Sequence, residues 1–166
     1  MNKQSVLILD QQRINWKLRR MAYQIWERNS DRQELVLIGI EKAGVCLATA
    51  LSEILKEISP LRVHMVSLRI NKKQPLQDPP VFTENLDGKS IVLIDDVANS
   101  GKTLLYALKP LLGFAPDRIM IAVLVDRTHK SFPITPDIIG HSVSTTLQDH
   151  IEVVHDEHMI QAVYLQ

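Results

Sequence analysis

The chain has 166 residues, 45% of them apolar and 23% charged, with 19 Lys and Arg balanced by 19 Asp and Glu. That length and apolar share suffice for one domain with a real core, and the near-zero net charge excludes bulk, sequence-independent nucleic-acid binding, though not a local basic patch. The lone cysteine, Cys46, excludes an intramolecular disulfide and points to a reducing compartment.

The N-terminal apolar run is too short for a signal peptide, and Ile119–Val125, the longest run, is too short to span a membrane. A cytoplasmic location is expected. Asp10 predicts an N-cap for a helix over about 11–29, with Ile14, Leu18, Met21, Ala22 and Ile25 as its apolar stripe. Arg13, Lys17 and Arg20 form a basic stripe beside it. This stripe reads first as a solvated face and second as a surface for phosphates. Trp16 and Trp26 fall near the apolar face, where core or subunit packing is expected. Leu35–Ile40 is short and continuously apolar, which predicts a buried strand. Gly44 opens a second helix, with Ala48, Leu51, Leu55 and Ile58 on one face and Pro60 as its stop. Cys46 lies on that apolar face as a buried, inert thiol.

Val63–Leu68 predicts another strand. Residues 69–88 lack any period and carry Pro75, Pro79 and Pro80, so a long functional loop is expected, with at most a short strand near Val81–Thr83. Ile91–Ile94 is again fully apolar and runs straight into Asp95-Asp96-Val97-Ala98-Asn99-Ser100-Gly101-Lys102-Thr103. A helix follows over about 102–112, with Leu104, Leu105, Leu108, Leu111 and Leu112 inward and Gly113 as its C-terminal cap. Ile119–Val125 is a further parallel-type strand, ending in Asp126-Arg127. Residues 128–146 read as loop. Ile151–His155 and Met159–Leu165 alternate as a hairpin across Asp156-Glu157, which makes His155 and His158 hairpin flanks and not metal ligands. Buried strands alternating with helices mean an α/β fold with a mostly parallel sheet, whose ligands sit at the carboxyl ends of strands. That rule points to Ile40–Gly44, Leu68–Asn71, Asp95–Thr103 and Asp126–His129.

Residues 95–103 carry the chemistry. Two carboxylates end a strand, and a Ser-Gly-Lys-Thr turn opens a helix. A helix start offers unpaired N–H groups and partial positive charge to a phosphate. The Ser100 and Thr103 hydroxyls add donors, and Asp95 and Asp96 suit the vicinal hydroxyls of a ribose. A nucleoside-triphosphate P-loop would need a glycine at position 96, where Asp96 would repel phosphates.

The run Ile91–Thr103 resembles the phosphoribosyl pyrophosphate (PRPP) motif of type I phosphoribosyltransferases, with Ser100 where many members carry Thr. Residues 6–10, 35–40, 44–48, 123–130, 132–140 and the C-terminal hairpin are similar to the PyrR family of bifunctional pyrimidine-operon regulators, so the resemblance covers nearly the whole chain in order. It implies a type I phosphoribosyltransferase fold: a mostly parallel twisted sheet flanked by helices, with a small hood and a C-terminal hairpin. It implies one domain over 1–166, a mobile lid at about 69–84 and a hood at about 128–146. The implied reaction is uracil plus PRPP to UMP plus pyrophosphate, with Mg²⁺ bound together with PRPP and no metal held directly by the chain. Leader RNA and further copies of the chain (dimer or higher) are the implied partners. Carried over by position, Asp95 and Asp96 are catalytic and grip the ribose, and Asn99, Ser100, Gly101, Lys102 and Thr103 hold the 5-phosphate. Glu41, Lys42, Ala43 and Gly44 make the pyrophosphate loop. Arg69, Lys72 and Lys73 are the lid cations, and Asp126, Arg127, Ile138 and Ile139 form the hood over the base. From the residues themselves, the His129-Lys130 pair and His141 are candidates to add to an RNA surface.

Three departures from the pattern matter. Family members read Ile-Lys-Thr-Arg-Gly where this chain has Ile40-Glu41-Lys42-Ala43-Gly44, the lid lacks a Tyr-Arg-Asp-Asp run, and Tyr23 replaces a His. Lys42 does not copy a bidentate Arg. Slow turnover with nucleotide binding retained is therefore expected. A regulator with little catalysis and a phosphoribosyltransferase for another base, such as a purine, are the alternative readings.

Overall fold

The computed structural model describes residues 5–71, 81–146 and 149–166. Five parallel strands form the main sheet in the order β3-β2-β4-β5-β6: β2 (Glu34–Ile40), β3 (Arg62–Leu68), β4 (Ser90–Ala98), β5 (Arg118–Arg127) and β6 (Ile138–Val143). A second, antiparallel sheet has the order β1-β8-β7, from Val6–Leu9, Ile160–Leu165 and Ile151–His155. The helices are α1 (Gln11–Arg28), α2 (Glu41–Ile58) and α3 (Lys102–Leu108), the last followed by a 3₁₀ segment, Lys109–Gly113.

Strand alternation sorts the core into two layers. Leu35, Leu37, Val92, Ile94, Met120 and Ala122 pack with α1, α2 and the antiparallel sheet. Val36, Ile38, Ile91, Leu93, Ile121 and Val123 pack with α3 on the other face. The Asp10 side chain accepts the Arg13 N–H at 2.8 Å, and all five residues of the α1 stripe are buried. Ala48, Leu51 and Leu55 of α2 are buried as expected. Burial, with the Asp156 charge adding to it, pushes the Cys46 thiol up, which suits an inert packing residue.

Several expectations fail locally. β1 is an addition, because four residues near a chain end carry too little pattern to be read as a strand. α2 begins at Glu41 and not Gly44. The helix after the phosphate turn stops being α-helical at Leu108, since Pro110 lacks the N–H the next turn needs. Leu112 is consequently 75% exposed, and Gly113 ends the 3₁₀ segment without a positive φ. The stretch 128–146 is not all loop, because β6 pairs in parallel with β5. Pro133, Pro136 and Gly140 mask it in the sequence. Trp26 packs against the core, whereas Trp16 is 65% exposed. Among the described residues no helix is long and apolar enough to cross a membrane. The expected lid cations Lys72 and Lys73 lie outside the described residues.

Candidate active site

β4 continues through Asp95 and Asp96 to Ala98, so both carboxylates sit on the strand itself. Asp95 is only 3% exposed, and its Oδ1 accepts the Asp96 N–H at 3.0 Å. Asp96 is half-buried. The expected phosphate turn follows, and with both aspartates it lines a cleft of about 390 Å³ closed on its far side by His150–Val153. Gly101 takes a φ of 83°, a left-handed conformation that L side chains avoid, and α3 starts directly after it. Ser100 Oγ accepts the Lys102 N–H at 3.3 Å. Behind the turn, the Ser131 and Phe132 N–H groups both donate to Ser100 O at 3.1 Å.

The opposite wall comes from the end of β2. Ile40 pairs with Leu68, the last rung between β2 and β3. Glu41 follows with a φ of 54°, the one non-glycine residue with positive φ among those described. Such a conformation costs about 1–3 kcal/mol and persists where its surroundings impose it. Glu41 Oε1 accepts the Ile70 N–H at 3.2 Å. The expected pyrophosphate loop is therefore one left-handed residue and the first turn of α2, whose positive end points at the strand ends. Gly44 brings this turn against β4. A Cβ there would lie 2.7 Å from Ile94 O and 3.5 Å from Asp95 Oδ1.

Of the expected hood residues, Ile138 is 1% exposed within the α1–α2 layer of the core and pairs with Ala122. Ile139 is a partly buried residue of the α3 layer. Arg127 is a strut: it donates to Asn99 Oδ1 at 2.6 Å, to Thr145 Oγ1 at 2.5 Å and to Thr146 O. Asp126 is buried and pairs with Lys130 Nζ at 2.5 Å, and Lys130 also donates to Arg127 O at 2.9 Å. Lys130 is thereby taken out of any RNA surface. The expected hairpin strand Ile151–His155 is present as β7, paired antiparallel with β8, but its place over the cleft is not read from the sequence. This strand lines the first cleft through Ile151–Val153. The hairpin tip, His155–His158, lines a second cleft of about 1000 Å³ with Glu41, Lys42 and Arg69. β7 thus crosses the strand ends from the phosphate turn to the start of α2. Its alternation marks it as a strand, but nothing local to it reveals what it covers.

The hairpin tip is an Asp-centred turn. Asp156 Oδ1 accepts the His158 and Met159 N–H groups at 2.7 and 2.8 Å, and Gln161 donates to Oδ2. Those bonds, His158 first, hold its carboxyl below the usual carboxylate range. Among the described residues no three His, Cys, Asp or Glu side chains converge as a metal site. A Mg²⁺ that keeps water and phosphate oxygens as its main ligands fits that arrangement, with Asp95 and Asp96 as the carboxylates lining the cleft.

The profile of the phosphoribosyl transferase domain family matches residues 7–159. The "Bifunctional protein PyrR" of Halalkalibacterium halodurans is 33% identical over 159 residues, covering 89% of this chain and 88% of that protein. The protein of the same name from Limosilactobacillus reuteri is 34% identical, covering 91% and 92%. The "Pyrimidine operon regulatory protein" of Lactococcus lactis is 33% identical, covering 91% and 90%. Among solved structures, the hypoxanthine phosphoribosyltransferase of Trypanosoma cruzi superposes with a TM-score of 0.79 at 15% identity, over 96% of this chain and 94% of that one.

Proposed function

Because this chain belongs to the phosphoribosyltransferases, and within them to the PyrR family, we propose that the base it uses is uracil, converted with PRPP to UMP and pyrophosphate. The choice of uracil follows the PyrR likeness, and the observation that carries the PRPP site itself is the meeting of two elements at one point. The turn at 99–103 and the start of α2 converge on Asp95, with Gly44 as the contact. In this reading Asn99–Thr103 hold the 5-phosphate, Asp95 and Asp96 grip the ribose hydroxyls, and the α2 end takes the pyrophosphate.

As the bond from ribose C1 to pyrophosphate breaks, positive charge grows on C1 and the ring oxygen. Uracil N1 forms the new bond to C1, and its proton passes to the departing pyrophosphate or to solvent. Asp95 and Asp96 favour the cationic sugar, and the α2 N-terminus with Lys42 and Arg69 receives the growing negative charge. Mg²⁺ bound with PRPP supplies further neutralisation of the pyrophosphate. β7 keeps bulk water from the activated sugar.

Any ligand that binds only the folded state raises its melting temperature. PRPP with Mg²⁺, and UMP alone, should each do so. No shift with saturating PRPP, UMP or GMP would refute the site.

A second reading has its own observation. Arg13, Lys17, Arg20, His141 and the exposed Trp16 line a groove of about 470 Å³ between α1 and the start of the chain. Lys17 and Arg20 both donate to Gly140 O, which fixes them along edge strand β6. Fixed cations beside an exposed indole suit RNA phosphates and a stacked base. This is the surface for a nucleotide-responsive regulator. Binding of a pyrimidine-operon leader RNA, lost in Arg13→Ala with Trp16→Ala, tests it. The apolar side chains Val6 and Leu7, about half exposed on β1, are where self-association is proposed, and sedimentation of the Leu7→Asp variant tests that.

A further inference from the structure

The first turn of α2 offers the cation Lys42 but no guanidinium, since position 43 is Ala. Arg69 is set to supply one. Ile40 and Leu68 form the last rung between β2 and β3, so Glu41 and Arg69 leave the sheet side by side. Leu68 and Ile70 are buried and Arg69 between them is exposed, which anchors its backbone on both sides and sends its side chain out. Arg69 lines the same cleft as Glu41 and Lys42. The Glu41 carboxylate accepts the Ile70 N–H at 3.2 Å, and it does so from a left-handed backbone that a glutamate does not choose unaided.

We propose that Glu41 is a positioning residue: by holding the Ile70 N–H it fixes Arg69 beside Lys42, and Arg69 provides the guanidinium for pyrophosphate that Ala43 does not. The proposal rests on the PRPP-site reading above. It reverses the sign that the sequence suggests for Glu41. A bare carboxylate at the leaving group repels pyrophosphate, whereas one spent on a backbone N–H organises the cation that binds it.

The test is calorimetric titration with Mg²⁺–pyrophosphate in the presence of UMP, and with UMP alone, on the full chain. Glu41→Ala should weaken pyrophosphate about tenfold. Arg69→Ala should do the same, and the double variant should be no worse than Arg69→Ala alone, because both changes remove one interaction. Glu41→Gln, which still accepts the Ile70 N–H, should stay within about threefold of the natural chain. UMP affinity should stay within about threefold throughout, which also reports that each variant is folded. Tighter pyrophosphate binding in Glu41→Ala would overturn the proposal, as would fully additive losses in the double variant. If the natural chain does not bind UMP, the PRPP-site reading falls and takes the proposal with it. If it does and the losses add, only the proposal falls.

Discussion

Asp95 and Asp96 differ in a way their adjacency hides. Asp95 is buried against the start of α2, while Asp96 is half-exposed at the cleft. Replacing both by Asn keeps the acceptor for the Asp96 N–H and removes two charges that oppose each other. Turnover should fall by about 10²–10³, the scale for losing transition-state electrostatics, with the fold intact by circular dichroism. Full activity in that variant would refute a ribose-gripping role. At Gly44 the backbone of β4 leaves no room for a methyl group. Gly44→Ala should cost about 1–3 kcal/mol of stability in denaturant titrations and lower turnover further than the stability loss explains. Ala43→Arg should raise the rate constant of UMP synthesis about tenfold, the worth of one charge-assisted contact. Adding Glu41→Lys should forfeit part of that gain, since the Ile70 N–H loses its acceptor. A further gain from the second change would mean that Glu41 acts only as a misplaced charge.

At the scale of elements, what the sequence reveals depends on whether a segment answers to itself. α1 is legible to its cap, because Asp10 and the Ile14-to-Ile25 stripe are local signals. β4 and its phosphate turn are legible because strand, acidic pair and glycine occur in one run. β6 is not, since its pairing is set by β5, and β7 is legible as a strand but not as the wall of the cleft it lines. The stripe on α1 shows the same limit: its cations are visible in sequence, but their attachment to Gly140 O is a tertiary fact. That attachment places His141 beside Lys17 and Arg13, and burial first, then those charges, hold its imidazole below its ordinary value. The folded chain therefore binds fewer protons there than the unfolded chain below about pH 6.5. The stability this group contributes is present above that pH and lost as pH falls through the folded value. In the regulator reading, bound RNA phosphates would oppose those charges and raise the imidazole, so RNA binding should take up a proton and tighten as pH falls through the imidazole range. His141→Gln should flatten that dependence, measured by filter binding at constant salt. An equally steep dependence in the variant would place the titrating group elsewhere.

For the whole molecule, two sheets divide the work. The parallel sheet presents Glu41, Asp95 and the 99–103 turn at one edge, and the antiparallel sheet carries a strand back across that edge. Family likeness and strand order point to the first sheet and to the existence of a hairpin, while the closure of the cleft comes only from the assembled chain. Phosphoribosyl transfer to a pyrimidine in this cleft is the function proposed here for the chain. The most direct test is to incubate the purified protein with PRPP, Mg²⁺ and, separately, uracil, hypoxanthine and guanine, and to resolve the products by chromatography. UMP and pyrophosphate should form in equal amounts from uracil, more slowly than the roughly 10 per second of ordinary enzymes, with no product from either purine. IMP or GMP in place of UMP, or no nucleotide from any base by a protein that binds PRPP, would contradict it.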